Sequence, residues 1–446
     1  MNSSLLTRLR QSQLFRDSFW AVLGNGIGNF LMLLSGILVA KFLGKDAYGE
    51  YGMVKSTMYY VALFSTLSLG TTSTKFVAEY IQKNRDNVPA IVASSLIVTI
   101  VFSSVLSIVL FVFSSSLSSF VNAPQLEKPF RFLAIIIIFR ALGLVCAGIL
   151  GGFKDYRGLG INSILSGIIM VSLCVPMTIH FNTTGALISL LLSQVFLGIA
   201  NILRVRSTTS KINNKVDFSF IKQLVNFSYP FAISELVYSL SALGVNLMIT
   251  KYASVGEFGM YSACTQWNSI ILFMPGLLSN VILSHLSSTS GRQDSEHKII
   301  LKRMLFVNFC CTLIPFLVVL FFSPVITKYY GPSFDGMKPI LTIVTFSTIF
   351  ICLARVFQSE LTSVGKKWTL MIIRCSYNLL ILIVSFIVLR VTDGNNAALN
   401  MAFIAVGINA LSLVLYFSEY KLSQIRESSR RFKDDKDTVL KIPDES

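Results

Sequence analysis

Long apolar runs separated by short charged turns repeat along the whole chain. The first two, 19–40 and 52–69, are joined by KFLGKDAYGEYG at 41–52. A helical run of about 20 apolar residues, rising about 1.5 Å per residue, spans the roughly 30 Å hydrocarbon core of a bilayer. The pair therefore predicts a membrane hairpin. Further runs lie at 88–113, 132–152, 160–181 and 186–203, and then at 227–250, 262–283, 305–327, 339–357, 368–389 and 397–417, so the pattern predicts twelve spans. Between the sixth and seventh lies a polar, basic stretch at 204–226, ending in FIKQLVNF ahead of Tyr229-Pro230. Proline is tolerated there because the N–H it lacks is unpaired in the first turn of a helix.

The opening hairpin recurs 210 positions later. Ser18-Phe19 answers to Ser228-Tyr229, Lys41-Phe42 to Lys251-Tyr252, Tyr48-Gly49 to Phe258-Gly259, and Tyr51 to Tyr261. Matches at one fixed offset point to two homologous halves. Equivalent points enter and leave the membrane in the same direction, so the repeat is parallel, about an axis along the membrane normal. The expected fold is all-α and integral to the membrane, with about twelve transmembrane helices in two six-helix bundles. The expected organisation is an amphipathic tail at 1–18, a bundle at 19–203, a connector at 204–226, a second bundle at 227–418 and a tail at 419–446.

Composition excludes a soluble enzyme. The 446 residues are 53% hydrophobic and 13% charged, against roughly 25% charged in soluble domains. Formal charge is +16, which in a soluble chain would suggest nucleic acid. In a membrane chain those cations are judged by their place between spans. Lys and Arg number 26 on the side carrying both tails and eight on the other, so both termini are expected in the cytoplasm. The first 18 residues, with Arg8, Arg10 and Arg16, lack the short apolar core and small-residue cleavage site of a signal peptide. The tail from Lys421 has little apolar periodicity and is expected to be disordered. All seven cysteines fall inside apolar runs with no CxxC, and His180, His285 and His297 have no metal spacing, so no disulfide framework, metal or cofactor is expected. No GxxxxGK[ST] loop is present, and GNGIGNF at 24–30 follows no strand and reads as close helix packing. No catalytic residue is proposed.

The remaining four cations, Lys55, Arg140, Arg355 and Arg374, lie within spans. An Arg at mid-bilayer costs at least about 2.5 to 3.5 kcal/mol, so such residues face a cavity or a partner. Arg140 follows AIIIIF near the middle of the fourth span and shares a face with Gly143, Ala147 and Gly151. It reads as an anion-binding position, or as a packing cation paired to a carbonyl or carboxylate. Arg355 heads a polar stripe through Gln358, Ser359 and Thr362. Lys55 could snorkel outward or face inward, and Arg374 lies close enough to the tail side to snorkel. Glu235 is the one carboxylate deep in an apolar run, with Ser239, Ala242 and Asn246 on its face. At the repeat offset Glu235 and Ser239 correspond to Asn25 and Asn29, which predicts a polar seam where the halves meet. Glu235 is a candidate proton or cation site, or a structural partner for Arg140.

The segments LVAKFLGKDAYGEYG, GTTSTKFVAEY, GGFKDYRGLG, TSVGKKWTL and the basic connector before Tyr229-Pro230 together resemble the Wzx-type polysaccharide (O-antigen) flippases of the MATE-like multidrug/oligosaccharidyl-lipid/polysaccharide exporter superfamily. The resemblance extends over about 10–420. It implies two six-helix bundles around a central cationic cavity that opens alternately to either side, in a bacterial inner membrane. The implied cargo is an undecaprenyl-diphosphate-linked oligosaccharide, with a polysaccharide polymerase and a chain-length regulator as partners alongside membrane lipids. It places Arg140, Arg355 and Lys55 on phosphate or acidic sugar, Arg374 nearby, Asn25 and Asn29 on the cavity wall, and Glu235 in ion coupling. The alternatives are a drug/cation antiporter, a lipid II flippase, and, from other classes, a non-transporting scaffold or a polymerase. Few deep carboxylates argue against the antiporter. Short outer loops argue against the polymerase.

Overall fold

The computed structural model describes residues 13–120, 123–209, 218–276, 294–364 and 366–439, and these are helical almost throughout. Arg8, Arg10, His285, the core of the basic connector and the end of the eighth run lie outside the described residues, as do the side chains of Arg16 and His297. The helices are α1 (Gln13–Ser65), α2 (Leu69–Lys83), α3 (Val88–Val112), α4 (Ser114–Phe120), α5 (Glu127–Gly152), α6 (Tyr156–Thr209), α7 (Phe218–Tyr252), α8 (Val255–Ile271), α9 (Asp294–Tyr330), α10 (Met337–Ser363), α11 (Lys367–Val391) and α12 (Ala397–Val439).

Nine helices among the described residues are long and apolar enough to cross a membrane. Two of them, α1 and α6, fold back on themselves at Gly44 (φ 73°) and Asn182 (φ 50°). One side chain marks the reversal of α1. Gln266 donates to the Leu33 carbonyl at 2.6 Å and accepts from the Tyr48 hydroxyl at 2.8 Å. A straight helix would hold Leu33 and Tyr48 about 22 Å apart. Likewise Ser166 donates to the Ser193 carbonyl at 2.9 Å, across the turn of α6. With each arm counted and α8 included, the described helices supply the twelve expected crossings.

Boundaries move where local chemistry overrides hydropathy. The expected turn at 41–52 is helical on both sides of Gly44, because one left-handed residue suffices to reverse the chain. The second crossing stops at Ser65, where Leu67 and Ser68 take positive φ, and the charged segment between the second and third runs is mostly helix α2. The C-terminal tail is a correction: α12 continues to Val439 rather than dissolving at Lys421.

Packing inverts the pattern of a soluble protein. On α3, Val101, Val105, Ile108 and Val112 are exposed, while Ser95, Thr99 and Ser103 are fully buried. In lipid the outward face must be apolar, and small hydroxyls let helices approach. Ser95 and Thr99 return their hydroxyls to the helix at the Ile91 and Ser95 carbonyls, and Ser73 donates to Ser95 Oγ at 2.9 Å. The GNGIGNF segment packs as expected, since a Cβ at Gly24 would overlap the backbone of Gly160 on α6.

Asp155, in the turn between α5 and α6, ties the two helices together. It binds Arg204 at 2.5 Å and accepts from the Gly158 N–H at 3.1 Å. Burial opposes its ionisation, but Arg204 and the Gly158 N–H prevail and hold the carboxyl below its ordinary range. A depressed carboxylate contributes stability above its unfolded pKa, and that contribution is lost as pH falls through the folded value. Asp155→Asn should therefore cost up to about 1 kcal/mol near neutral pH, Arg204 being half exposed. Thermal midpoints of the two proteins should converge in acid; a gap that persists there would exclude the ion pair as its source.

Candidate functional site

The two halves meet chiefly through α1 on one side and α7 and α8 on the other. At the end of the molecule that carries the Gly44 turn they are sealed. Tyr48 and Gln266 are both buried and hydrogen-bonded there, Phe334 packs edge-on to Tyr48 at 6.3 Å, and the Lys41 ammonium sits 4.2 Å over the Tyr329 ring. The backbones of Gly49 and Gly259 touch the opposing half, so neither position has room for a Cβ. At the end carrying the termini the halves meet through α2 and α7. There Thr72 and Ser228 share a 2.7 Å hydrogen bond, and the Lys75 ammonium lies 3.8 Å over Phe227.

Between these ends lies a cavity of about 230 Å³, whose walls include Tyr60 from α1, Tyr238 and Asn246 from α7, Tyr261 and Thr265 from α8, and Asn378 from α11. A chain of contacts runs past it from one half to the other. Arg140 on α5 lies near Tyr59. The Tyr59 and Tyr60 rings are 5.3 Å apart, and Tyr60 meets Tyr238 at 5.8 Å. The Arg374 guanidinium lies 5.3 Å over Tyr238 and binds Glu235 at 3.0 Å. Tyr377 then feels both Arg374 and Arg355.

Three of the seven candidate residues, Arg140, Glu235 and Arg374, thus fall along one line of aromatic rings and charges that crosses the interface, and Arg355 lies near it beside Tyr377. The Arg140 Nε is buried without a hydrogen-bond partner. Lys55 lies 5.6 Å over the Tyr51 ring, one position before the cavity-lining Ser56. Lys55, Arg140 and Arg355 make no ion pair among the described residues. Asn25 is drawn instead to α6, accepting from the Ser163 hydroxyl at 3.1 Å, and Asn29 is exposed. Glu235 has a partner other than the one expected: its carboxylate reaches Arg374, not Arg140. That same pair replaces the snorkelling geometry expected of Arg374.

Sequence reading passed over Tyr60, Tyr238, Gln266 and Asn378, which look like ordinary interior positions. Of the lining residues, Phe258 and Tyr261 carried a signal through the repeat, and Ala242 and Asn246 through the face they share with Glu235.

The Glu235–Arg374 pair is half-buried, and its Oε2 has no partner. Glu235→Gln should lower the thermal midpoint, at a cost of about 1–3 kcal/mol, because Arg374 loses its counter-charge. Adding Arg374→Gln should restore part of that loss. If the double variant is as unstable as the sum of the two singles, the contact carries no coupling.

The model for polysaccharide biosynthesis proteins matches residues 37–304. A Shigella flexneri protein that carries the name O-antigen transporter is 19% identical over 374 residues, covering 81% of this chain and 88% of its own. Among solved structures, an inward-facing MATE-family multidrug-resistance transporter of the MOP superfamily overlays with TM-score 0.75 at 15% identity, covering 92% of this chain and 99% of its own. An outward-facing MATE-family structure gives 0.65 at 15% identity, over 93% and 95%. A MOP-superfamily transporter from Pyrococcus furiosus gives 0.66 at 15% identity, over 92% and 94%. These likenesses establish a MATE-like, multi-pass membrane fold, and the solved relatives are transporters rather than enzymes. The family match covers more than half of the sequence, and the chain belongs to the polysaccharide biosynthesis protein family.

Proposed function

We propose that the protein is a flippase that carries an undecaprenyl-diphosphate-linked oligosaccharide from the cytoplasmic to the periplasmic leaflet of a bacterial inner membrane by alternating access. The observation that carries this reading is the set of intramembrane cations that have no carboxylate partner among the described residues. An unpaired cation in lipid is costly, and it is retained where a ligand supplies the missing charge. Arg140, Arg355 and Lys55 would take the diphosphate, leaving the lipid tail in the bilayer. The family and the name of the Shigella relative support a saccharide cargo. A drug or cation antiporter of the same fold would need free carboxylates where this chain has free cations.

The bias of Lys and Arg toward the tail side supports a cytoplasmic location for both termini. The sealed Gly44 end is then periplasmic, in keeping with the tighter overlay on the inward-facing relative. Glu235 would couple transport to an ion gradient: a proton or sodium ion on its carboxylate would release Arg374 to the cargo. Asn25 and Asn29 would border the path at the cytoplasmic end of α1. The test is leaflet translocation of an undecaprenyl-diphosphate oligosaccharide in proteoliposomes. Efflux of organic cations without lipid translocation would overturn the flippase reading. Translocation indifferent to collapse of both proton and sodium gradients would overturn the coupling.

A further inference from the structure

We propose that the cavity among α1, α7, α8 and α11 holds one uncharged sugar ring of the cargo and discriminates against acidic sugars. This rests on the diphosphate-linked saccharide reading above and assigns the part of the cargo that the cations do not explain.

None of the twelve residues lining the cavity carries a formal charge. That is notable in its setting, because Lys55 adjoins Ser56 in sequence and Arg374 lies against Tyr238 at the rim. Charge is thus placed beside the cavity and withheld from its wall. While Glu235 carries no coupling ion, Arg374 is moreover matched by it, so in that state the nearest rim charge on that side is neutralised.

The wall has the chemistry of a sugar site. Tyr60 and Tyr238 meet at 76° and form two sides of a corner, against which the C–H face of a pyranose can rest. Asn246 is nearly buried and lines the cavity, and among the described residues its carboxamide makes no hydrogen bond. Such a group inside a membrane protein wants a polar ligand, since an unmet amide costs free energy in an apolar setting. Asn378 is held in place by donating to the Arg374 carbonyl at 2.7 Å, and Ser56, Ser262 and Thr265 add hydroxyls. At about 230 Å³ the cavity is on the scale of a single sugar ring. A uronic acid placed there would bury a carboxylate against hydroxyls and amides with no cation in the wall, and burying an uncompensated charge is far costlier than burying a hydroxyl.

The test is calorimetric binding to the full-length protein in detergent, with three short-chain probes: farnesyl diphosphate, its neutral hexose conjugate and its hexuronic acid conjugate. The hexose should raise affinity about tenfold over the bare diphosphate, and the uronic acid should give no gain. Asn246→Ala should remove the hexose gain while leaving bare diphosphate binding intact, which also reports correct folding. Thr265→Lys should let the uronic acid gain affinity. If the native chain binds bare diphosphate but the hexose adds nothing, or the uronic acid binds as well as the hexose, the sugar site falls and the flippase reading stands. If no probe binds, both fall.

Discussion

Arg140→Ala will reduce the rate of lipid-linked oligosaccharide translocation by about 100-fold while leaving the thermal stability of the protein unchanged or higher. The two signs come from one fact. The Arg140 Nε is buried with no partner, and the side chain makes no ion pair among the described residues. In a resting protein such a cation is a liability of about 2.5–3.5 kcal/mol on insertion scales, so its removal relieves the fold. In the loaded protein it is an asset. Guanidinium and phosphate form paired charge-assisted hydrogen bonds, each worth about 1.5–3 kcal/mol, and about 2.7 kcal/mol is a factor of 100. Arg140→Lys keeps the charge but not the planar fork, and should fall between the two. Proteoliposome flux and thermal melting of the same preparations decide it. A variant that loses stability and flux together would make Arg140 a packing residue.

The sequence was most legible where the signal was local. Hydropathy placed the crossings, and the repeat matched Gly49 to Gly259 as equivalent positions, whose contact only the structure shows. Glycines at 24 and 28 announced the close approach of α1 to α6. What could not be read were partners. Glu235 and Arg374 are 139 positions apart, and Tyr48 and Gln266 are 218 apart. Periodicity fixes which face of a helix a residue occupies but not which helix that face meets. For the same reason Asn25, matched to Glu235 by the repeat, was expected on the polar seam, yet its neighbour proved to be Ser163 within its own half. On α3 the hydroxyls that look solvent-facing are the packing face, because the solvent there is lipid.

Gly259→Ala, and more strongly Gly259→Val, will hold the Gly44 end of the molecule open and lower translocation by at least about tenfold. A Cβ at Gly259 would overlap the Lys45 carbonyl oxygen and come within 2.9 Å of the Gly49 nitrogen. Both obstacles are backbone, so no side chain can swing aside. Overpacking typically costs about 1–3 kcal/mol, and here the least costly relief is to part the halves. Parting them breaks the Tyr48–Gln266 hydrogen bond at the seal but leaves each half's own packing intact. The substitution therefore shifts the population between two arrangements instead of unfolding the chain. A penalty of about 1.4 kcal/mol moves that equilibrium tenfold, and alternating access fails when one of its two states is scarce. Spin labels at the exposed Phe42 and Asp335, one in each half, should report a longer distance in the variant than in the native protein. Gly407 has open space around its Cβ position, so Gly407→Ala should change neither distance nor flux. An unchanged Phe42–Asp335 distance in Gly259→Val, with flux retained, would mean that the close contact of Gly49 and Gly259 is not what closes this end.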